Sequence, residues 1–458
     1  MKKLPIGIQS FQEIREEPYY YVDKTGFIQK LADAGKYYFL SRPRRFGKSL
    51  FLDTLRLAFQ GCTEFFQGLS LESTWDWSRK YPVISISFGA GVIEDEQDFR
   101  QRALAVLKWN QEELNISCPM QGDPRESLYT LIHQAHKAYG EKVVILVDEY
   151  DKPILDNIDD TEFAKVLRDK LKNLYSVIKD ADQYVKFSFI TGVSKFSKVS
   201  LFSGLNKLQD ITLHKDYATL CGYTQEELET VFQDRLQERN LDKIRTWYNG
   251  YSWLGKKVYN PFDILLHLSE GKFRSYWFET GSPSYLIKLL TENKYYIPAL
   301  ENLEVGEELI GSFDVEAIYP ENLLFQTGYL TIERELSNQP VLGYVLTFPN
   351  LEVKYSLNNY LLNAFVQDHR RKDSNRRDIY AALENDDFEK LQSVIHAFFS
   401  SIPHDWYRKN ELSGYEGYYA SIFYCYFAAS GLQVIAEDTT NHGKIDLSLL
   451  YGPKAYIF

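Results

Sequence analysis

Three consecutive residues, Gly47-Lys48-Ser49, have the chemistry to hold a phosphate, and they close the stretch SRPRRFGKS at 41–49. An apolar run, Tyr37-Tyr38-Phe39-Leu40, precedes them, and a helical pattern through Leu50, Phe51, Leu55 and Leu57 follows. In a strand–loop–helix context of this kind, backbone N–H groups and a helix N-terminus face the anion, because their partial positive charge has no intrahelical partner. Lys48 would reach the β- and γ-phosphates and the Ser49 hydroxyl would sit on Mg²⁺, with Arg44, Arg45, Phe46, Gly47 and Leu50 completing the cradle. The usual pattern G-x-x-x-x-G-K-[ST] wants glycine at 42, where this chain has Arg42. A side chain there is expected to restrict the loop's positive-φ conformations.

A second motif, VVILVDEYDKP, occupies 143–153. Five apolar residues, Val143 to Val147, have the pattern of a fully buried parallel strand and end in Asp148-Glu149. A Mg-bound nucleotide needs an acidic partner at such a strand end: Asp148 would hold the metal, and Glu149 would polarise the attacking water. A third strand, in KFSFITGVSKFSKVS at 186–200, ends in Thr191-Gly192-Val193-Ser194-Lys195. Thr191 and Ser194 are placed to hydrogen-bond the nucleophilic water and Lys195 to neutralise developing charge. Residue by residue, the same string reads equally well as a strand running into a basic loop.

These residues must be positioned by a large soluble chain. Its 458 residues are enough for two or three domains, and 44% hydrophobic with 25% charged residues is ordinary globular composition. The net charge of −11 lends no support to a nucleic-acid role, which needs clustered Lys and Arg. Cys62, Cys118, Cys221 and Cys425 are widely spaced with no metal pattern, as suits free thiols in a reducing compartment. There is no signal-peptide core and no apolar run of about 18 residues. The expectation is a cytoplasmic protein without a membrane span.

Strand-like runs at 37–40, 83–88, 143–147 and 187–191 alternate with helical stretches at 97–115, 125–138 and 161–179. That alternation predicts an α/β fold with a parallel sheet and helices on both faces, spanning 1–215. Near the front, Asp23 or Thr25 is a cap candidate for a helix through Phe27, Ile28 and Leu31. Residues 216–370 read as mostly helical. An amphipathic helix at 222–237 is capped by Thr224 with Glu227 as its capping-box partner. Turns are expected at Asn249-Gly250 and Asn260-Pro261, and a small hairpin within 323–356. The dense Trp and Tyr residues here read as packing between units and not as a ligand cage. A charged hinge at 371–378 opens a third unit, 371–458, with two helices followed by strands at 432–436, 445–450 and from 455.

Taken in order, YYYVDKTGFI, RPRRFGKS, VDEYDKP, FITGVSKFS, WYNGYSW and YWFETGSPSYL give a chain that, over nearly its whole length, resembles the bacterial AAA-ATPase-like proteins. These carry a P-loop ATPase domain fused to a C-terminal nuclease domain of the PD-(D/E)XK superfamily. In that family the first glycine of the phosphate loop is typically replaced, as at Arg42. The resemblance implies an ASCE-type P-loop fold similar to the STAND ATPases, with a helical lid and a winged-helix-like element. It implies phosphate and Mg²⁺ binding by Lys48 and Ser49, metal binding and catalysis by Asp148 and Glu149, and γ-phosphate sensing by Thr191 or Lys195. ATP as the nucleotide rests on the family alone, since no base-reading motif is evident.

A PD-(D/E)XK site needs a helix carboxylate, an Asp at a strand end and E-x-K on the next strand, the carboxylates holding Mg²⁺. Glu416 in SGYEGYYAS fits the first position and Asp446 in HGKIDLSLL the second, with Lys444 nearby. Apart from the family, both read as ordinary helix and turn acids. The third strand begins at Lys454 and stops at Phe458, so E-x-K would lie just beyond. The expectation is therefore a shortened nuclease unit without turnover of its own.

Three functions compete at this point. One is an ATPase that controls the C-terminal unit. Another is a nucleotide-gated switch with little turnover, in which Arg42, Arg44 and Arg45 stabilise bound phosphate. The third is a processor of DNA or RNA in which ATP is only regulatory.

Overall fold

The computed structural model describes residues 1–120, 122–195, 207–278, 284–311, 315–336, 342–365, 369–399, 412–440 and 443–458. Parts of several expected segments fall outside them: 196–200, which ends the third motif, 279–283, at the centre of YWFETGSPSYL, 337–341 within the expected hairpin, 400 at the end of the first C-terminal helix, and 442, which opens HGKIDLSLL.

The central sheet has five parallel strands: β1 (Tyr37–Ser41), β2 (Val83–Ser87), β3 (Val143–Asp148), β4 (Val185–Gly192) and β5 (Gln209–Asp210). Their spatial order is β2-β3-β4-β1-β5. Every residue of β1 is buried, as are Val143 to Val147 of β3, which is why these strands read as continuous apolar runs and not as alternating ones. Parallel strands need crossover connections, and helices supply them. Helices α1 (Phe11–Glu16) and α2 (Gly26–Ala34) precede β1, and α3 (Lys48–Phe59) follows it. Between β2 and β3 run α4 (Glu96–Glu113) and α5 (Pro124–Tyr139), and between β3 and β4 run α6 (Lys152–Leu155) and α7 (Thr161–Asp180). Three of these helices are started by aspartates (Asp95, Asp123 and Asp160) whose side chains accept from first-turn N–H groups. The register sets Ser87 of β2 opposite Asp148 of β3, and Leu40 of β1 opposite Thr191 of β4. The carboxyl ends of the strands therefore form one edge.

Beyond the sheet, the expected helix at 222–237 is broken at Phe232 into α8 (Gln225–Val231) and α9 (Gln233–Leu236). The Thr224–Glu227 capping box is present. Helices α10 (Leu241–Tyr248) and α11 (Pro261–Glu270) follow, with β6 (Tyr223–Thr224), β7 (Asn249–Tyr251) and β8 (Val258–Tyr259) in a small antiparallel sheet. Asn249-Gly250 is thus strand and not turn. Gly250 has φ 138°, and a Cβ there would lie 1.8 Å from the Pro349 carbonyl oxygen, so the glycine serves a close crossing of two backbones. Helices α12 (Ser284–Glu292), α13 (Glu307–Gly311) and α14 (Pro320–Thr327) accompany a second antiparallel sheet of β9 (Leu303–Gly306), β10 (Thr331–Leu336) and β11 (Gly343–Thr347).

Long helices come next: α15 (Leu351–Phe365), α16 (His369–Asn385), α17 (Phe388–Phe399) and α18 (Leu412–Ala429). The stretch 371–378, expected as a hinge, lies within α16. The chain ends in an antiparallel sheet of β12 (Gln433–Thr440), β13 (Gly443–Tyr451) and β14 (Lys454–Ile457). No helix among the described residues is long and apolar enough to cross a membrane.

The N-terminal residues are built into the fold. Tyr20 and Val22 belong to a core cluster with Leu228, Phe232, Ile264 and Leu268, more than two hundred positions away. Lys24 Nζ donates to Glu227 Oε1 at 2.5 Å and to the Thr219 carbonyl at 2.8 Å. Asp23 does not cap α2 through the helix N-terminus; its Oδ1 accepts from the N–H and hydroxyl of Thr25.

Candidate functional site

The edge formed by the ends of β1, β3 and β4 gathers the residues that the motifs single out. Ser41 closes β1, its hydroxyl donating to the Val193 carbonyl at 2.5 Å. The loop from 42 to 47 then turns the chain into α3, with left-handed backbone at Arg45 (φ 67°) and Gly47 (φ 90°). A Cβ at Gly47 would meet nothing within 4 Å, so the backbone angle alone calls for glycine there. Arg42 is not in the left-handed region, and the expected conflict at that position does not arise.

The guanidinium of Arg42 points inward and does not line the cavity beside Lys48. It is fully buried and donates to the carbonyls of Ser41 (2.8 Å), Thr212 (2.9 Å) and Tyr217 (3.4 Å). It also lies 4.1 Å over the Trp253 ring. Burial lowers its pKa to about 10, which leaves it charged at neutral pH. Phe46 is likewise buried, edge-on to Tyr251 (4.8 Å) and Trp253 (5.3 Å). Trp277 Nε1 donates to the Arg44 carbonyl at 3.2 Å. Aromatic residues from the region beyond the sheet therefore hold the loop from behind, while Arg44 and Arg45 stay exposed.

Lys48 opens α3, and its Nζ donates to the carbonyls of Arg42 (2.8 Å) and Pro43 (2.9 Å). Burial lowers the pKa of this ammonium. The next hydroxyl, Ser49 Oγ, donates to Asp148 Oδ2 at 2.5 Å. The other carboxylate oxygen, Oδ1, accepts from Thr191 Oγ1 at 2.8 Å and from the Glu149 N–H at 3.0 Å. Because β4 lies between β1 and β3, Thr191 stands beside the carboxylate of β3 and the loop after β1. Glu149 has left-handed backbone (φ 48°), and its carboxylate reaches Gly89 beyond β2, where a Cβ would lie 2.9 Å from Oε2. Burial first, and then the neighbouring Asp148, raise the pKa of Glu149.

One carboxylate here went unnoticed in the sequence. Asp151 is buried and accepts from Val193 N (3.0 Å), Ser194 N (2.6 Å) and Ser194 Oγ (2.6 Å). It ties the turn after β3 to the turn after β4. Gly192 allows this, since a Cβ there would strike Tyr150 and Asp151 at 2.5 Å. The Ser194 hydroxyl is occupied by Asp151. Lys195 stands apart from the loop: its ammonium pairs with Asp210 Oδ2 at 2.5 Å, and its N–H donates to Gln326 Oε1 at 2.8 Å. Neither group lines the cavity beside Lys48; Asp148 and Thr191 do not line it either, and stand behind Ser49, which does. The only signal for Asp151 was its place in DEYD, which reads as an acidic turn.

That cavity measures about 370 Å³ and is walled on one side by residues 44–51. Its other walls come from Pro5, Gly7 and Tyr21 near the N-terminus and from Pro261, Phe262 and Leu265 of α11. A concave site of this size, part apolar and part polar, suits a small organic ligand. Ser49 and Asp148 offer only hard oxygen atoms, as Mg²⁺ requires. Among the described residues no cluster of three acidic, His or Cys side chains could bind a metal alone.

A second set of candidate residues falls on the C-terminal elements. Glu416 lies on α18, and Asp446 lies on β13 with its side chain exposed. Lys444 is on the same strand.

Comparisons with known proteins agree with both halves. A family described as predicted AAA-ATPase matches residues 5–202, and one described as the PD-(D/E)XK nuclease superfamily matches residues 414–458. A protein from Azotobacter chroococcum mcd 1, described as an uncharacterized protein in the vnfD 5′ region, is 53% identical over 460 residues. That match covers 100% of this chain and 89% of the relative.

Proposed function

We propose, from the premise that this chain belongs to the predicted AAA-ATPase family with a C-terminal PD-(D/E)XK segment, that the cavity beside residues 44–51 binds Mg-ATP. The carrying observation is the convergence of two hydroxyls, Ser49 Oγ and Thr191 Oγ1, on the Asp148 carboxylate at the N-terminus of α3. Phosphates would lie against the free N–H groups of that helix end. Lys48 would exchange the Arg42 and Pro43 carbonyls for phosphate oxygens. Ser49 and Asp148 would hold Mg²⁺, which supplies charge neutralisation on the phosphates when bound. Glu149, its basicity raised by burial, would take the proton of the attacking water, and Thr191 would orient that water or the γ-phosphate. The apolar wall of Pro261, Phe262 and Leu265 would cover the base.

Nucleotide state would reach the C-terminal segment through α15. The Trp277 indole bonds the loop carbonyl of Arg44, and the Trp277 N–H donates to Glu352 Oε1 of α15 at 3.0 Å. Helix α15 packs along α18, which carries Glu416. Lys354 of α15 and Tyr424 of α18 meet on the same Glu301 carboxylate. A helix packed on both the Trp277 segment and α18 offers one physical route for coupling them.

The test is thermal unfolding with and without Mg-ATP. Ligand at a hundredfold its dissociation constant should add about 2.7 kcal/mol to the stability of the wild-type chain. Lys48→Ala should erase that gain. An unshifted wild-type midpoint at millimolar Mg-ATP would remove the proposal.

A further inference from the structure

A second lysine of the Asp-Glu segment lines the cavity beside Lys48. Lys152 opens α6, three residues after Glu149, and both side chains face that cavity. They also reach the same loop after β2: Lys152 Nζ donates to the Gly91 carbonyl at 3.0 Å, and the Glu149 carboxylate packs on Gly89. Lys152 therefore stands on the wall from which Glu149 would take the proton of water. Its ammonium is held in addition by Asp156 Oδ2 at 2.5 Å. Asp156 also lies 3.9 Å from the guanidinium of Arg44 in the phosphate loop. One carboxylate thus serves two cations that line the cavity, and it does not line the cavity itself.

Other cations near the loop are engaged elsewhere. Lys24 is paired with Glu227 and the Thr219 carbonyl, and Arg45 stacks 4.1 Å over Phe262, on the wall assigned to the base. Lys195, which the sequence offers for neutralising developing charge, is tied to Asp210 outside the cavity. Lys152 is free to change partners in a way these are not. An ammonium is a compact point charge on a flexible stem, so rotation alone can re-aim it. A terminal phosphate offers it more negative charge than Asp156, which Arg44 already shares.

We propose that Lys152 is a ligand of the γ-phosphate, held in reserve by Asp156 and the Gly91 carbonyl until a triphosphate enters. The proposal rests on the nucleotide site described above and adds to it the residue that tells ATP from ADP. A diphosphate ends short of the Glu149 wall, and Lys152 keeps its resting partners. A triphosphate brings its terminal oxygens to that wall, and the ammonium turns from Asp156 to them.

The experiment is titration calorimetry with Mg-ADP and with the β,γ-imido analogue of ATP, on wild type, Lys152→Gln, Lys152→Arg and Asp156→Asn. Unfolding midpoints of the free proteins check folding. Glutamine keeps an N–H donor for the Gly91 carbonyl and loses the charge. Lys152→Gln should bind ADP as wild type does and the analogue about 10–100-fold more weakly, the span of a lost hydrogen bond between charged groups. Lys152→Arg should recover most of that loss. Asp156→Asn leaves the lysine in place without its carboxylate, and should tighten the analogue alone. Affinities for both nucleotides unchanged in Lys152→Gln, or both weakened equally, would overturn the assignment and leave the nucleotide site standing, because the lysine would then only brace the loop after β2. Where Lys152→Gln does not fold, Asp156→Asn decides: an analogue bound no more tightly than by wild type overturns the assignment. Absence of binding heat with either nucleotide in wild type would overturn both readings at once.

Discussion

Glu149→Gln should lower the rate of Mg-ATP hydrolysis by about 10²–10⁴-fold, the span typical of a lost general base, while nucleotide still shifts the unfolding midpoint. The glutamine fills the same space beside Gly89 and keeps the left-handed backbone that aims the side chain there. What it loses is the ability to take a proton. Asp148 is untouched, and with it the Ser49 and Thr191 hydrogen bonds that shape the metal side of the site. The same assignment predicts an acid limb. Burial raises the pKa of Glu149, and only its ionised form can act, so turnover should fall with acidification at a higher pH than an ordinary carboxylate would give. Phosphate release and thermal shift, measured on the same samples, separate chemistry from binding. Undiminished hydrolysis in the variant would move the base elsewhere; hydrolysis and binding lost together would make Glu149 part of the binding site.

Arg42→Gly would restore the usual glycine of a phosphate loop, and it should nonetheless destabilise the protein by about 4 kcal/mol. The guanidinium satisfies three carbonyls and stacks on Trp253 inside the molecule. Removing it deletes a cation–π contact worth about 2 kcal/mol when desolvated. It also leaves the carbonyls unpaired and opens a void where a large side chain was fully buried. Arg42→Lys should fall between, since an ammonium keeps the charge but neither the planar fork nor the stacking. Calorimetric midpoints for the three proteins check the order. A glycine variant as stable as wild type would mean the loop relaxes without its brace.

The sheet was legible because burial on both faces writes an uninterrupted apolar run, as in Val143 to Val147, and an Asp-Glu at its end stands out. Strand β5 was not: two residues, Gln209-Asp210, pair with β1 on the strength of tertiary position and carry no pattern. The helix at 222–237 kept its capping box, a local signal, and lost its continuity at Phe232, where packing against Tyr20 and Tyr223 decides. Lys48, Ser49, Asp148 and Thr191, which the structure brings together, stand out in sequence because each sits at a strand or helix terminus with a recognisable neighbour. The direction in which Arg42 points, the pairing of Lys195 with Asp210, and the contribution of Pro5 and Tyr21 to the cavity depend on contacts across long stretches of chain. Asp263 and Glu352 look in sequence like the acids of any amphipathic helix; only their burial sets them apart.

The first two dozen residues have a consequence for synthesis. Tyr20 bonds Asp234, 214 positions later, and Lys24 bonds Glu227, 203 positions later. A ribosome adding 5–20 residues per second needs roughly 10–45 s to deliver those partners. During that interval Tyr20 and Val22 emerge with nothing to cover them, and one wall of the cavity waits for α11 to leave the exit tunnel. The β1–β4 strands are complete before then, so the sheet can assemble first and the ligand pocket closes last. Fusions at the N-terminus should therefore burden the late step, slowing acquisition of nucleotide binding while leaving formation of the central sheet on schedule.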